Sequence, residues 1–297
     1  MDCHGVGHFY LQYELWCCYQ PAKKINDPYS ISDNAVYCFV KDKEGSIWAG
    51  KYFGGVNYYP IENTSFKKFF PRLGENSISN NVVREIHQDD AGNLWIGTED
   101  AGLNKYNTVT KLYTHFEPAG DKKNISSTNI HGLLVTGNKV WRGLFENGLD
   151  VLNIITGKVE RHYASGAGER SLKSSFIYCI AQMSTGEIML GTTTGAYEFN
   201  RAGDDFSLLL GMPPNNWFTG IFKDKNDVIW ASTYGNGINF YNTKTKTAGN
   251  FRYEAGNRNS LCNDRVNSIF EDSKNNLCFA TEGGLCMLNK TMNDFKR

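Results

Sequence analysis

Apolar and polar residues alternate along most of this chain in short runs, and the runs are punctuated by Asp, Asn and Gly. Val82 to His87, Asn93 to Gly97, Gly102 to Tyr106 and Lys111 to Phe116 are four such runs in succession. A period of two puts successive side chains on opposite faces of an extended chain, so the pattern predicts four short strands. Asp90-Ala-Gly-Asn93 supplies the first hairpin turn, because Gly tolerates the backbone conformation that tight turns require. Four strands joined in this way form an antiparallel meander.

The same pattern recurs six times. Its clearest mark is an apolar-Trp-x-Gly second strand, in the cleanest copies Ile47-Trp48-Ala49-Gly50 and Leu94-Trp95-Ile96-Gly97. The others read Val140-Trp141-Arg142-Gly143, Ile188-Met189-Leu190-Gly191, Ile229-Trp230-Ala231-Ser232 and Leu277-Cys278-Phe279-Ala280. Successive anchors stand 47, 46, 48, 41 and 48 residues apart. A lone meander cannot bury its apolar face, and four strands per unit of this length predict the blades of a β-propeller. Leucine-rich repeats are too short, and helical repeats would need a period of 3.6. We therefore expect an all-β fold of six repeats from about residue 30 to 297. Gly5 stands 14 residues before Tyr19, as Gly102 does before Phe116, so residues 1–25 are expected to be the end of a preceding blade in a seven-bladed or longer array.

Composition agrees with this and narrows the partners. Aromatic residues make up 13% of the chain, with 30 Gly and only 7 Pro, which suits short strands and tight turns. Thirty-one basic residues balance thirty-one acidic ones, so no global field favours nucleic acid or an anionic membrane. No run of about 18 apolar residues exists to span a bilayer, and the start lacks a secretory signal pattern. The eight cysteines include no C-x-x-C pair, which argues against a zinc site and leaves the redox compartment open.

Residues Asn76 to Thr98 (NSISNNVVREIHQDDAGNLWIGT) and Gly102-Leu-Asn-Lys-Tyr106 closely resemble the two-component regulator propeller repeat, and the resemblance covers nearly the whole chain. It implies the periplasmic sensor region of a hybrid two-component receptor, with an oligosaccharide as ligand and dimerisation through the full receptor. The histidine kinase, immunoglobulin-like domain and membrane helix of such receptors have no counterpart among these residues. Repeats four and six depart from the pattern: Met189 and Cys278 stand in the Trp slot, and Met183-Ser-Thr-Gly-Glu replaces the Asp-Gly turn. Met and Cys both pack as apolar residues, so those blades are expected to fold.

By fold-level analogy, propellers bind ligands where the axial channel opens. Two repeat slots fall there. The first is the second residue of each inner strand: Tyr37, Arg84, His131, Tyr178, Thr219 and Asn267. It varies and is mostly polar, while the residues one before and two after it are always apolar. The second is the loop after the anchor strand, with Tyr52, Phe53, Glu99, Asp100, Phe145, Glu146, Tyr234 and Glu282 among others. Flat rings cover the C–H faces of sugars, while carboxylates, amides and Arg satisfy their hydroxyls. The same loop carboxylates are equally at home facing solvent. Arg84 and Arg142 suit an anionic sugar, or else pair with Glu85, Glu99 or Glu146 on neighbouring loops. The anchor Trp residues are expected to pack between blades. Trp217 lies outside that slot and is a candidate contact.

Enzyme signatures are missing: there is no Gly-x-Ser-x-Gly, no His-Glu-x-x-His and no phosphate loop. No catalytic residue, metal or cofactor is expected. The leading reading is a non-catalytic sensor of an oligosaccharide or other small ligand. The alternatives are a lyase resembling streptogramin-type enzymes, with His131 near Glu146 as its one candidate constellation, and a protein-interaction scaffold.

Overall fold

The computed structural model describes residue 23 and residues 30–60, 67–289 and 294–296. The expected blade end at residues 1–25 lies outside them, apart from Lys23. Among the described residues every regular element is a strand, and the strands form six antiparallel sheets, each a meander in sequence order. The chain divides into two units, one up to Ile78 and one from Ser79 onward.

The first unit holds blade 1: β1 (Val36–Lys41), β2 (Ile47–Lys51) and β3 (Val56–Tyr59). The second holds five four-stranded blades. Blade 2 is β4 (Val83–Gln88), β5 (Leu94–Thr98), β6 (Leu103–Tyr106) and β7 (Tyr113–Phe116), close to the runs expected from the sequence. Blade 3 comprises β8 (Ile130–Thr136), β9 (Lys139–Leu144), β10 (Leu149–Asn153) and β11 (Lys158–Tyr163). Blade 4 comprises β12 (Ile177–Gln182), β13 (Ile188–Thr192), β14 (Ala196–Asn200) and β15 (Asp205–Leu208). Blade 5 runs through β16 (Phe218–Lys223), β17 (Val228–Thr233), β18 (Ile238–Asn242) and β19 (Ala248–Phe251). Blade 6 ends the chain with β20 (Val266–Glu271), β21 (Leu277–Thr281), β22 (Gly284–Asn289) and β23 (Asp294–Lys296).

The core of the second unit lies between neighbouring blades. Trp95 and Leu103 of blade 2 pack on Leu133, Val140 and Leu144 of blade 3. Trp141 and Val151 of blade 3 pack on Ile180, Leu190 and Tyr197 of blade 4. Met189 of blade 4 meets Ile221 and Tyr241 of blade 5, and Trp230 of blade 5 meets Phe279 and Leu288 of blade 6. Trp95, Trp141 and Trp230 are thus inter-blade packing residues, 0%, 4% and 6% exposed. Trp48, in the first unit, differs: it is 43% exposed and lies against Tyr58 at 4.5 Å. Apolar side chains also stay exposed on the outermost blades of the second unit, Val83 and Ile86 on β4 and Phe270 and Leu285 in blade 6.

A second recurring tie holds the blade connection in four of the six blades. Ser32 bonds Asn57, Ser79 bonds Asn104 and Ser126 bonds Asp150, in each case from four residues before the inner strand to the third strand. In blade 6 the same two positions are Cys262 and Cys286, joined as a disulfide with a Cα separation of 6.2 Å. That separation is within the span a disulfide bridges.

Candidate ligand-binding site

The polar slot of each inner strand has a structural cause. In all six blades the register between first and second strand shifts at that position, between Val36 and Cys38, Val83 and Glu85, Ile130 and Gly132, Ile177 and Cys179, Phe218 and Gly220, and Val266 and Ser268. Tyr37, Arg84, His131, Tyr178, Thr219 and Asn267 are therefore the extra residues of six β-bulges. A bulge leaves one residue unpaired and re-aims its side chain, which frees this slot from the packing that fixes its neighbours.

Backbone bonds then bring the other slot alongside. The residue after the second strand donates its N–H to the carbonyl just before the inner strand of the same blade: Glu99 to Val82 at 3.1 Å, Phe145 to Asn129 at 3.3 Å, Tyr234 to Trp217 at 3.0 Å and Glu282 to Arg265 at 3.1 Å. Bulge, blade connection and loop thus meet at one end of each blade.

In the second unit these positions form a continuous belt of rings across blades 3 to 5. His131 lies 4.7 Å from Phe176 and 5.6 Å from Tyr178, and Phe145 lies 4.8 Å from Phe176. Trp217 lies 5.9 Å from Tyr178 and 4.6 Å from Tyr234. Arg84 of blade 2 closes one end, its Nη2 2.8 Å from His131 Nδ1 and its guanidinium 5.7 Å from the Tyr178 ring centre. Arg265 closes the other, 4.8 Å from the Tyr234 ring centre and paired with Glu282 at 3.1 Å. Phe145 and Tyr234 are 40% and 41% exposed, so the belt presents ring surface to solvent. The indole N–H of Trp217 is buried and has no hydrogen-bond partner.

Electrostatics mark the Arg84 end. Burial, and then the Arg84 charge, lower the His131 pKa to about 4, so this imidazole is neutral at ordinary pH. Burial pushes the neighbouring Glu85 carboxyl up to about 7, against the opposing pull of Arg84. The Glu85 side chain keeps 37% exposure, so solvent softens that shift.

Seven of the expected site residues therefore gather: Arg84, His131, Phe145, Tyr178, Trp217 and Tyr234 in the belt, and Glu282 on Arg265 at its end. Arg84 pairs with His131 rather than with one of the loop carboxylates considered from the sequence. Arg142 does not reach the belt. It is 0% exposed between blades 2 and 3, where it donates to Asp150, which His162 also meets at 2.7 Å. The alternation of β9 puts Arg142 on the same face as Val140 and Leu144, and that face is core. Thr219 is also buried, donating to Ser232 at 3.0 Å. Tyr37 and Tyr52 belong to the first unit, where they lie 5.2 Å apart and are 70% and 58% exposed. Glu99, Asp100, Glu146 and Asn267 sit on loops or strand ends with at least part of their surface in solvent. Sequence reasoning missed Phe176 and Arg265. Phe176 stands one residue before an inner strand, as Trp217 does, so its slot carried the signal.

Among the described residues no group of three His, Cys, Asp or Glu side chains is gathered as a metal site. No helix among them is long and apolar enough to cross a membrane.

Comparison with known proteins adds the following. The family model described as two component regulator propeller matches residues 30–50, 77–100 and 211–235. A histidine kinase of Formosa agariphila is 38% identical over 63 residues, covering 21% of this chain and 5% of that protein. The extracellular domain of a hybrid two-component system from B. thetaiotaomicron superposes with a TM-score of 0.59 at 16% identity, over 96% of this chain and 45% of that one. PorZ, a surface component of the type-IX secretion system of Porphyromonas gingivalis, gives 0.56 at 17% identity, over 86% and 38%. The chain spans less than half the length of each of these relatives, and the structural likenesses establish the fold. The three matched segments are the repeats that keep both Asp and Trp: Asp42 with Trp48, Asp89 with Trp95, and Asp224 with Trp230. The remaining blades share their meander and bulge positions, so the chain is similar to the two-component regulator propeller repeat at three of its six blades and keeps the same strand plan in the others.

Proposed function

We propose that this chain is a ligand-sensing propeller region of an extracellular two-component receptor, and that it binds an oligosaccharide on the aromatic belt without turning it over. The belt carries the reading: rings from three adjacent blades, with Arg at both ends, expose flat apolar faces beside polar hydrogens. That combination suits a sugar chain, whose C–H faces stack on rings while its hydroxyls bond at the edges. The three matched repeats and the relatives named above support the receptor context. The Cys262–Cys286 disulfide supports an extracellular or periplasmic setting, since such bonds persist in oxidising compartments. A lyase would need His131 as an acid or base, and Arg84 occupies its one acceptor nitrogen, Nδ1, while a pKa of about 4 leaves the imidazole uncharged and without an acidic proton to give.

The test is a thermal-shift screen of the purified protein against neutral and acidic oligosaccharides, because a ligand of the folded state raises its melting temperature. At least one sugar is expected to shift the midpoint, unconsumed, and the shift is expected to vanish in Trp217→Ala. A cooperatively melting protein that no sugar shifts would overturn the reading in favour of a protein partner.

A further inference from the structure

We infer that the ligand of the belt carries an oxyanion, a carboxylate or sulfate on a sugar ring, and that this group seats on the paired Arg84 and His131; the inference rests on the belt being the binding site. A guanidinium has donors only, so the 2.8 Å contact fixes His131 Nδ1 as the acceptor. The imidazole then keeps its proton on Nε2, and it is neutral at the pH of ordinary solution because its pKa is near 4. What the pair still offers is about four guanidinium N–H groups on Arg84 and one imidazole N–H on His131, itself 9% exposed, all of them donors. A neutral sugar hydroxyl needs donor and acceptor partners together, whereas an oxyanion takes donors alone.

The charge is also uncompensated. Arg265, at the far end of the belt, is held by Glu282, Arg252 by Asp264 and the buried Arg142 by Asp150. No carboxylate among the described residues makes such a pair with Arg84, and the one whose field reaches it, Glu85, is itself raised to about 7. Arg84 is an exposed residue, and its guanidinium lies 5.7 Å from the Tyr178 ring centre. Phe145 and Trp217 then lie within a sugar's reach to take the ring that bears the oxyanion.

Titration calorimetry with two acidic probes, an oligogalacturonate and a sulfated chondroitin disaccharide, and with their carboxyl-reduced and desulfated counterparts, tests this. One acidic probe is expected to bind at least about tenfold more tightly than its neutral counterpart, and to weaken as salt is raised. Binding should fall to the neutral level in Arg84→Gln and persist in part in Arg84→Lys, with both variants melting as the parent does. It should be tighter at pH 6 than at pH 8, because Glu85 takes up a proton across that interval while His131 stays neutral. Equal binding of acidic and neutral sugars, lost in Trp217→Ala but unchanged in Arg84→Gln, would overturn the oxyanion and leave the belt standing. Acidic binding indifferent to Arg84→Gln would place the charge elsewhere and overturn it too. Failure of every sugar, charged or neutral, would sink both the inference and the belt.

Discussion

Asp42, Asp89 and Asp224 each stand six residues before an anchor Trp and accept its indole N–H, at 2.8, 2.9 and 3.1 Å. Blade 4 has lost both partners together: Met183 and Met189 fill those positions, each 4% exposed. Replacing both members of a buried hydrogen bond with apolar groups leaves nothing unsatisfied, which is why that blade still packs. Blade 3 lost only one: its first turn is a residue shorter, Thr136 stands where register places the Asp of the other blades, and the indole N–H of Trp141 is buried without a partner. The same blade carries the buried Arg142–Asp150 pair, where other blades have Ile96 or Leu190 in the first slot and Asn57, Asn104 or Asn239 in the second. Asp150→Ala should cost about 3–5 kcal/mol in urea unfolding, because it strands a buried charge. Arg142→Ile combined with Asp150→Asn should return to within about 1 kcal/mol of the parent. A double variant as unstable as the single one would show that the charge pair itself holds the blade. From sequence Arg142 read as a contact for an anionic sugar or as the partner of a loop carboxylate, because its real partner lies eight residues away on another strand and nothing in the local pattern names it.

At the scale of the element, strand positions were legible and the bulges were not, although the chain carried their trace. In every inner strand the fixed apolar residues stand three apart, Val83 and Ile86 for example, which a strict period of two forbids and one inserted residue allows. The anchor Gly has an equally physical reason. A Cβ added at Gly143 would lie 2.5 Å from the carbonyl oxygen of Ile177 on the next blade, and one at Gly97 would lie 2.9 Å from Ile130 Cγ2. Backbone yields less readily than a flexible side chain, so Gly143→Ala should destabilise by roughly 1–3 kcal/mol in chemical denaturation. A neutral Gly143→Ala would mean that neighbouring blades do not approach as closely as their backbones indicate. The Trp-x-Gly pattern thus showed where blades touch, while the belt had to wait for geometry, since ring contacts across three blades join residues such as His131 and Trp217 that are far apart in sequence.

Across the molecule, each hydrophobic cluster of the second unit joins two adjacent blades, so stability there is a sum of neighbour interfaces. The Cys262–Cys286 bond replaces a Ser-to-Asn hydrogen bond with a covalent one in blade 6, and the cysteine count alone gave no hint of which two would meet. Closing that loop should contribute about 3 kcal/mol. A mild reductant, or Cys262→Ser, should therefore lower the melting temperature; an unchanged midpoint would mean that the thiols are unpaired in solution. The ring belt has a further consequence, in optics. Aromatic chromophores fixed at unequal angles within a few ångströms of one another couple electronically and give strong near-ultraviolet circular dichroism, and Tyr178 and Tyr234 are near enough to pass their excitation to Trp217. The protein carries its own dye at the place where a ligand would land, and occupancy could be followed by light alone, with no label attached.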